Sequence, residues 1–390
     1  MIFIIYFVSR LLIMWGAVTA QNTLPYLGFF PYKELLVEFG LPSWVSAFAN
    51  FDGIHYLLIA KQGYSQWEQA FFPLFPLLIR GVFLIVPHYL VAALFVSHVS
   101  LLTGLIFFQK LLREWGIKTM WPIFFLLSFP TAFFFGVVYT EGLFFMLFVL
   151  SLYFLHKKNY WLAGLCAGLS SATRLIGIFL IIPFFFHFLS DYKKSLKNFQ
   201  LLAFSFQPIF IAPFLGLFSY MSYLWITTGD PLFFFNSQPL FGANRSTHLI
   251  LLPQVYFRYI KILLTAAHNF QWYLSLLEMV IFSLVFVILI LDLLKIIRRL
   301  SPTGTILKNA TELKTTIMRL ALNMFSFINL ILPTLTGTFS SIPRYALFSL
   351  SFFLYLAELK SGKVKVGILA IFITLQIVLL SLFIQGYFVG

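Results

Sequence analysis

Charged residues are scarce in this chain, and cysteine is almost absent. Asp, Glu, Lys and Arg make up only 10% of the 390 residues, whereas a soluble domain carries about 25%. Hydrophobic residues make up 61%, and 52 residues are Phe. Since so few charges cannot cover a water-facing surface, lipid must cover much of the protein. The single cysteine, Cys166, excludes an intrachain disulfide, and we expect it to be a small core residue of an apolar helix.

The motifs of soluble nucleotide chemistry are also missing. The sequence has no P-loop, no Gly-rich dinucleotide motif, no HExxH and no Asp-x-Asp, so a metal-bound nucleotide sugar is not indicated. We therefore predict no cofactor and assign no metal ligands, and a requirement for a divalent metal, although not indicated, stays open at this point. The net charge of +14 does not predict nucleic acid binding, because the basic residues fall between apolar runs, as is typical of cytoplasmic loops.

Long apolar runs predict an all-α fold. A spanning helix needs about 20 mostly apolar residues, so the pattern indicates a polytopic bundle of about 11 spans in one domain over 1–390. The first run is expected to be a retained helix, because Met1–Ile5 lacks the basic side chain of a signal peptide. The spans are expected at 2–20, 82–109, 120–138, 142–156, 160–173, 175–190, 200–225, 272–296, 318–338, 344–359 and 366–386.

The distribution of Lys and Arg predicts the orientation in the membrane. With the N-terminus inside, the inner loops hold 17 of the 26 basic residues, as the positive-inside rule requires. The segments 21–81 and 226–271 then lie outside. Their Trp, Tyr and Pro residues are typical of helices in the membrane interface. We expect an integral membrane protein of the plasma membrane, or of the endoplasmic reticulum in a eukaryote.

The strongest local signal is the run from Asn50 to Tyr56, which contains Asp52 and His55. They stand three positions apart, so on a helix they share a face. A carboxylate at the outer membrane surface is partly desolvated and is suited to act as a general base. The alternative is that Asp52 only caps the helix that begins at Gly53, and a lone interfacial His is more often a packing residue than a ligand.

Further candidates are charged residues at predicted span ends. Glu141 lies at the start of a predicted helix, at its outer end. It is either an acceptor-side or base-orienting carboxylate, or a favourable negative charge at the N-terminus of the helix dipole. Arg10, Arg174 and Arg344 lie at membrane level, where charges usually face a cavity or a partner. Arginine suits phosphate oxygens, although snorkelling to headgroups is the alternative for such residues. We predict that Arg174 or Arg344 contacts a lipid phosphate.

The second outer segment holds two more candidates. Asp230 lies in Gly229-Asp230-Pro231, which by itself marks only a turn, and Arg245 lies downstream. Arg245 is expected to reach over towards the phosphate.

Together these runs resemble the membrane mannosyltransferase family that adds the second mannose in GPI-anchor assembly, with its prokaryotic relatives. The matching runs cover most of the chain, and the block from Asp52 to Pro76 is the most specific. They are Ser9-Arg10, Phe51-Asp52-Gly53-Ile54-His55-Tyr56, Ile59-Ala60, Gly63-Tyr64, Ala70-Phe71-Phe72-Pro73-Leu74-Phe75-Pro76, Tyr139-Thr140-Glu141-Gly142-Leu143-Phe144, Ala172-Thr173-Arg174, Gly229-Asp230-Pro231-Leu232 and Pro343-Arg344-Tyr345.

The resemblance implies a GT-C glycosyltransferase fold and an inverting transfer of a sugar at the extracytoplasmic face. The implied donor is a polyprenyl- or dolichyl-phosphate sugar, and the acceptor is a lipid-linked sugar or a glycan. Asp52 matches the family's catalytic base. The substrate-binding residues are then expected to be His55, Glu141, Arg174, Asp230, Arg245, Arg344 and Tyr345.

Two other classes remain open at this point. A transporter or lipid flippase needs polar residues along a path through the bilayer, whereas this sequence concentrates them on one side. A non-catalytic scaffold fits the composition but leaves the Asp52 block unexplained.

Overall fold

The computed structural model describes residues 1–27, 33–192, 199–238, 246, 248–300 and 310–389. Within these ranges the chain forms helices and turns, with no strand. The α-helices are α1 Ile2–Thr23, α2 Lys33–Val37, α3 Ser43–Ser46, α4 Asp52–Gln62, α5 Leu74–Phe83, α6 Tyr89–Glu114, α7 Trp121–Ser128, α8 Glu141–His156, α9 Tyr160–Ser171, α10 Ile181–Tyr192, α11 Phe199–Thr228, α12 Phe233–Asn236, α13 Leu252–Thr265, α14 Phe270–Leu300, α15 Ala310–Ile331, α16 Ile342–Tyr345, α17 Leu350–Ala357 and α18 Gly362–Ile384.

Long apolar helices confirm the prediction of a polytopic helical membrane protein. Among the described residues, 6 helices are long and apolar enough to cross a bilayer. They are α1, α6, the stretch Ile209–Thr228 of α11, α14, the stretch Glu312–Thr336 that begins in α15, and α18. The other five predicted spans are shorter helices, and α7, α10 and α17 adjoin 3-10 turns or irregular chain.

The predicted span 120–138 is interrupted at Phe129. Helix α7 stops at Ser128, and Phe129 adopts φ −52° and ψ 142°, because a residue before proline is pushed out of the helical region and Pro130 follows. The carbonyls freed by this break are not left unpaired: Gln376 of α18 donates to Leu127 O at 3.0 Å and to Phe129 O at 3.2 Å. Gln376 lies eight residues before the end of α18, so the break lies about 12 Å below that end.

A second break lies between α15 and α17, across the end of the predicted span 318–338 and the start of the predicted span 344–359. Helix α15 runs into a 3-10 turn, Leu332–Thr336, and the chain reverses at Gly337, whose φ is 92°. Arg344 then sits in the separate short helix α16. The two breaks meet, since the Thr131 hydroxyl donates to Pro343 O at 2.6 Å. Irregular backbone at membrane depth is stable only where protein buries it or where it lines a cavity, and residues 129–140 are buried.

The helix ends that carry basic residues lie at the end of the bundle opposite the two breaks. Lys157, after α8, contacts Glu114 of α6 at 2.5 Å, and Lys295 of α14 pairs with Glu358 after α17. Arg319, near the start of the predicted span 318–338, is buried in α15 and pairs with both Glu358 and Asp292, the latter at 2.7 Å. This network joins α14, α15 and α17.

The predicted outer segments carry short helices, as expected. Helices α2 to α4 lie in 21–81, α5 begins there and ends at Phe83, and α12 and α13 lie in the described part of 226–271. Helix α13 packs over the second break: the Tyr259 hydroxyl accepts from Phe339 N at 3.0 Å and donates to Glu278 at 2.8 Å. Tyr259 thereby links α13 to α14 and to the second break, although these segments are far apart in the sequence.

Candidate active site between the broken helices

Two carboxylates and two guanidinium groups meet where the broken helices converge. Arg344 donates through Nε and Nη2 to Glu141 Oε1, at 3.1 and 2.9 Å, and through Nη1 to Asp52 Oδ2 at 3.0 Å. Its guanidinium also lies over the rings of Phe134 and Tyr139, 4.8 and 4.6 Å from their centroids. Arg344 thus joins the start of α4 to the start of α8, and we call Asp52, Glu141, Arg174 and Arg344 the carboxylate–arginine cluster.

Arg174 completes this cluster from the turn after α9. Its Nη1 donates to Glu141 Oε1 at 2.7 Å and to the Thr140 hydroxyl at 3.2 Å. The guanidinium lies over Tyr345, 5.0 Å from the ring centroid, and over Phe348 at 5.2 Å. Within the described part of the chain, its Nε and Nη2 atoms form no hydrogen bond. Arg174 therefore has donors left for a ligand.

Tyr139 and Asn50 fix the position of Asp52. The Tyr139 hydroxyl donates to Asn50 O at 3.0 Å and accepts from Asp52 N at 3.2 Å, while the Asn50 amide donates to Phe383 O at 2.9 Å in α18. Phe51 between them has φ 59°, a conformation that costs a non-glycine residue about 1–3 kcal/mol and persists only where its surroundings enforce it. The main chain is thus strained at the residue that precedes Asp52.

The carboxylate of Asp52 does not cap its own helix. Asp52 is the first residue of α4, the residue before it is the N-cap, and the helix start has no side-chain cap bond. One carboxylate oxygen faces Arg344, the other accepts no hydrogen bond from the described residues, and the side chain is 31% exposed. The capping alternative is therefore wrong. Glu141 is fully buried in the first turn of α8, so the helix dipole and the two arginines both stabilise its charge.

His55 pairs with Glu68, a residue that the sequence did not single out. His55 Nδ1 lies 3.0 Å from Glu68 Oε1, and the imidazole stacks on Phe71 at 5.2 Å. Glu68 is only 5% exposed, and its second oxygen accepts from Ser65 N at 2.9 Å. A lone acid in a loop, 13 residues from His55, gives no sequence signal, because only the folding back of the loop brings the two together.

The remaining predicted residues have different outcomes. The Tyr345 ring lies against the Arg174 guanidinium, so Tyr345 contacts the carboxylate–arginine cluster. Asp230 accepts from Leu232 N at 2.8 Å and from the Asn236 amide at 2.7 Å; these contacts are those of a local turn, and none reaches the cluster. Arg245 lies outside the described residues.

Arg10 and Cys166 are not part of the cluster. Arg10 is buried in α1 near Gly136, and its two Nη atoms find no hydrogen-bond partner among the described residues. Cys166 is buried in α9, as expected of a small core residue. Within the described ranges, no three His, Cys, Asp or Glu side chains are grouped so as to hold a metal ion.

A large groove runs beside the cluster, between α5, α9 and α11. Its volume is about 1440 Å³, above the 300–1,000 Å³ typical of small-ligand pockets. Tyr64 and Arg80 line one end and Lys157 and Trp161 the other. The floor is a seam of small residues that lets α9 and α11 approach closely: Gly164, Gly168, Ala212 and Gly216.

The end of the groove adjoins the carboxylate–arginine cluster. Ala172 lines the groove, and Arg174 follows two residues later, so their Cα atoms are at most about 7.6 Å apart. Leu165 lines the groove and is 58% exposed, so the groove is open to its surroundings along α9. A molecule with a long apolar chain and an anionic head therefore finds an apolar wall and a guanidinium side by side.

This arrangement can carry out proton transfer next to an anion site. Asp52 has one carboxylate oxygen available to accept a proton, and Arg174 has donors available for an anion. The buried guanidinium of Arg344 bonds both carboxylates and so fixes them in position relative to each other. Comparison of the chain with models of protein families, with curated proteins and with solved structures found no match.

Proposed function

We propose that this protein is a membrane glycosyltransferase that moves a sugar, most simply mannose, from a polyprenyl- or dolichyl-phosphate donor to an acceptor hydroxyl. The observation that carries the proposal is the pairing of Asp52 with Arg344 beside Arg174. It places a partly exposed carboxylate in the same cluster as a guanidinium that has donors left for an anion. The resemblance to the second mannosyltransferase of GPI-anchor assembly supports the same assignment.

In this proposal Asp52 is the catalytic base of an inverting transfer. The acceptor hydroxyl attacks the anomeric carbon, its proton passes to the open oxygen of Asp52, and the bond to the phosphate oxygen breaks with inversion. The electron pair of that bond leaves with the lipid phosphate. Arg344 holds the other oxygen of Asp52 at 3.0 Å, so it is a positioning residue, and Glu141 holds Arg344 in turn.

Arg174 is the better placed of the two arginines to bind the donor phosphate. All three nitrogens of Arg344 already bond carboxylates, whereas Arg174 uses only Nη1. A positively charged side chain beside the leaving phosphate stabilises the negative charge that develops there in the transition state. We therefore assign the phosphate contact to Arg174. The Tyr345 ring, which lies against its guanidinium, holds the side chain in place.

A lipid donor is supported by the groove that ends beside Arg174. Its walls are apolar over the length of α9, about 18 Å, and it opens to the bilayer. We infer that the donor's isoprenoid chain lies there. The active site is assigned to the extracytoplasmic face, because the cluster lies at the end of the bundle opposite the basic ends of α6, α8 and α14. A plasma membrane location in a prokaryote, or the endoplasmic reticulum in a eukaryote, follows from this chemistry.

The donor class is tested with purified protein in nanodiscs. Radiolabelled mannose is offered either on polyprenyl phosphate or on a nucleotide, with a lipid extract of the source membranes as acceptor. We expect label to move from the polyprenyl phosphate donor only. Transfer from the nucleotide donor alone, or no transfer above a protein-free control, would contradict the proposal.

The groove gives a separate prediction about the donor chain. Leu165→Trp puts a bulky ring into the groove, so we expect the KM for a long-chain donor to rise roughly tenfold, the loss of about 1.4 kcal/mol of apolar contact. The KM for a donor with a two-isoprene chain should stay unchanged. Leu162→Trp is the matched control, because Leu162 is also exposed on α9 but does not line the groove. Equal effects of both variants would contradict the assignment.

The same groove favours one other function, a lipid flippase, because it reaches the basic end at Lys157. A flippase moves its lipid without breaking a bond, so it requires no proton acceptor. Lipid scrambling by reconstituted protein that survives Asp52→Asn would favour this alternative.

A further inference from the structure

An exposed tryptophan lies in a strained turn of the loop that follows α4. Trp67 adopts φ 74° and ψ −13°, a left-handed conformation that is uncommon for a non-glycine residue. Such a conformation costs about 1–3 kcal/mol, and residues that adopt it cluster at active sites and ligand clamps. The residue is nevertheless 41% exposed. The fold therefore holds a large aromatic ring at its surface at a cost in free energy.

Contacts from α11 and α12 hold this turn in place. The Tyr220 hydroxyl of α11 donates to Gln69 O at 2.7 Å. Phe233 of α12 stacks on the Trp67 indole, with 5.8 Å between the ring centroids. Because Phe233 covers one face of the indole, the exposed area belongs to the other face and to the ring edge. The indole is thus a fixed aromatic platform with one open face.

The turn at Asp230 supports this platform. The Asp230 carboxylate accepts from Leu232 N at 2.8 Å and from the Asn236 amide at 2.7 Å, and Asp230 O accepts from Phe233 N at 3.2 Å. These three bonds fix the start of α12, where Phe233 lies. Asp230 thereby holds the ring on which the indole of Trp67 lies.

The platform lies beside the face of α4 that carries Asp52. Trp67 directly precedes Glu68, whose carboxylate lies 3.0 Å from His55 Nδ1. His55 follows Asp52 by one helical turn, so their Cβ atoms are about 5–6 Å apart. Both of these side chains are partly exposed, whereas the two residues between them are buried. A molecule that presents a hydroxyl to Asp52 can therefore extend along this face of α4 to the loop of Trp67.

The chemistry of the platform suits a sugar ring. A sugar ring has an apolar face of C–H groups bordered by hydroxyls, so it can pack on an aromatic face and accept from the indole N–H. Trp67 Nε1 donates no hydrogen bond within the described part of the chain. The chain of the donor is assigned to the groove, which Trp67 does not line. A sugar on Trp67 therefore belongs to the other substrate, the acceptor.

We propose that Trp67 is a stacking platform for a sugar ring of the acceptor. The ring packs on the open face of the indole, and the acceptor presents its reacting hydroxyl to Asp52. The inference rests on the proposed function, because it assigns a binding site to the second substrate of that reaction. It gives the two substrates separate sites: the donor lies in the groove and at Arg174, and the acceptor lies along α4 and on Trp67.

The test is the transfer kinetics of Trp67→Gly and Trp67→Phe in nanodiscs. The acceptor probe is the lipid extract of the source membranes, titrated at saturating polyprenyl-phosphate mannose. Trp67→Gly removes the ring and keeps the turn, because glycine adopts positive φ without strain. Loss of the stacking surface is expected to raise its half-saturating acceptor concentration roughly threefold to tenfold, with the donor KM and the maximal rate within about twofold. Trp67→Phe keeps a ring and should stay near the unmodified protein.

The matched control is Trp225→Ala, which removes an exposed tryptophan from α11 and should change none of these values. An unchanged half-saturating acceptor concentration of Trp67→Gly would overturn the inference, whether or not thermal stability falls, because the fraction of folded protein does not alter that concentration. A rise in the donor KM alone, or an equal acceptor effect in Trp225→Ala, would also overturn it. In each case the unmodified protein still transfers sugar, whereas absence of transfer by the unmodified protein contradicts the proposed function itself.

Discussion

Asp52→Asn is expected to lower sugar transfer by roughly 10²–10⁴-fold, the usual cost of removing a general base. The amide is nearly the same shape as the carboxylate, and its oxygen can still accept from Arg344. Because the Asp52 side chain is 31% exposed, the lost ion pair should cost no more than about 1 kcal/mol of stability. Turnover and thermal unfolding are measured on the same detergent-solubilised preparation, with donor binding as a third readout.

The controls for this variant separate chemistry from folding. Donor binding should change little, because the proton acceptor is not the phosphate ligand. Glu38→Gln removes an exposed acid from the same predicted outer segment, 21–81, and should keep full turnover. Near-normal turnover of Asp52→Asn would refute the assignment and shift it to Glu141, the other carboxylate of the cluster. Lost stability with normal turnover per folded molecule would indicate a structural role.

Arg344→Met is expected to have the largest effect on folding. The substitution removes a buried guanidinium that bonds both Asp52 and Glu141, and breaking a buried ion pair in this way typically costs about 3–5 kcal/mol. Glu141 keeps Arg174, but its fully buried carboxylate loses two hydrogen bonds, and Asp52 loses its positioning. We therefore expect a strongly lowered temperature of thermal unfolding and no detectable transfer.

Two comparisons sharpen this prediction. Arg298→Met makes the same substitution at an exposed site at the basic end of α14 and should leave both readouts near normal. Arg344→Lys keeps the charge but cannot bridge two carboxylates as the planar guanidinium does. It should recover part of the stability and little of the transfer. An Arg344→Met variant as stable as Arg298→Met would show that the cluster is not a structural link between α4, α8 and α16.

The sequence identified the members of the cluster but not their contacts. Asp52, Glu141, Arg174 and Arg344 were each predicted from their residue type and their place at a predicted span end. Up to 292 residues separate the bonded pairs, and periodicity carries no information about contacts at such a distance. The sequence therefore predicts that Arg174 or Arg344 contacts a lipid phosphate, whereas the structure pairs both arginines with Glu141.

The breaks in the helices were harder to predict than the helices. Hydropathy stays high on both sides of Pro130, so an apolar run over 120–138 resembled one span. The proline was a local signal for a break, because it excludes Phe129 from the helical region. Asp230 shows the opposite case: its Gly-Asp-Pro run is typical of a turn, and its carboxylate makes only the bonds of a turn.

Azide tests the role of Asp52 most directly. It is a nucleophile with no proton to lose, so it needs no base, and it can replace the acceptor hydroxyl at the anomeric carbon. Asp52→Ala is incubated with polyprenyl-phosphate mannose, with and without azide, and release of polyprenyl phosphate is measured. If Asp52 is the base, the variant transfers almost no sugar to the acceptor, and azide restores release with formation of a mannosyl azide. Normal transfer to the acceptor, or a loss of transfer that azide does not relieve, would contradict a base role for Asp52.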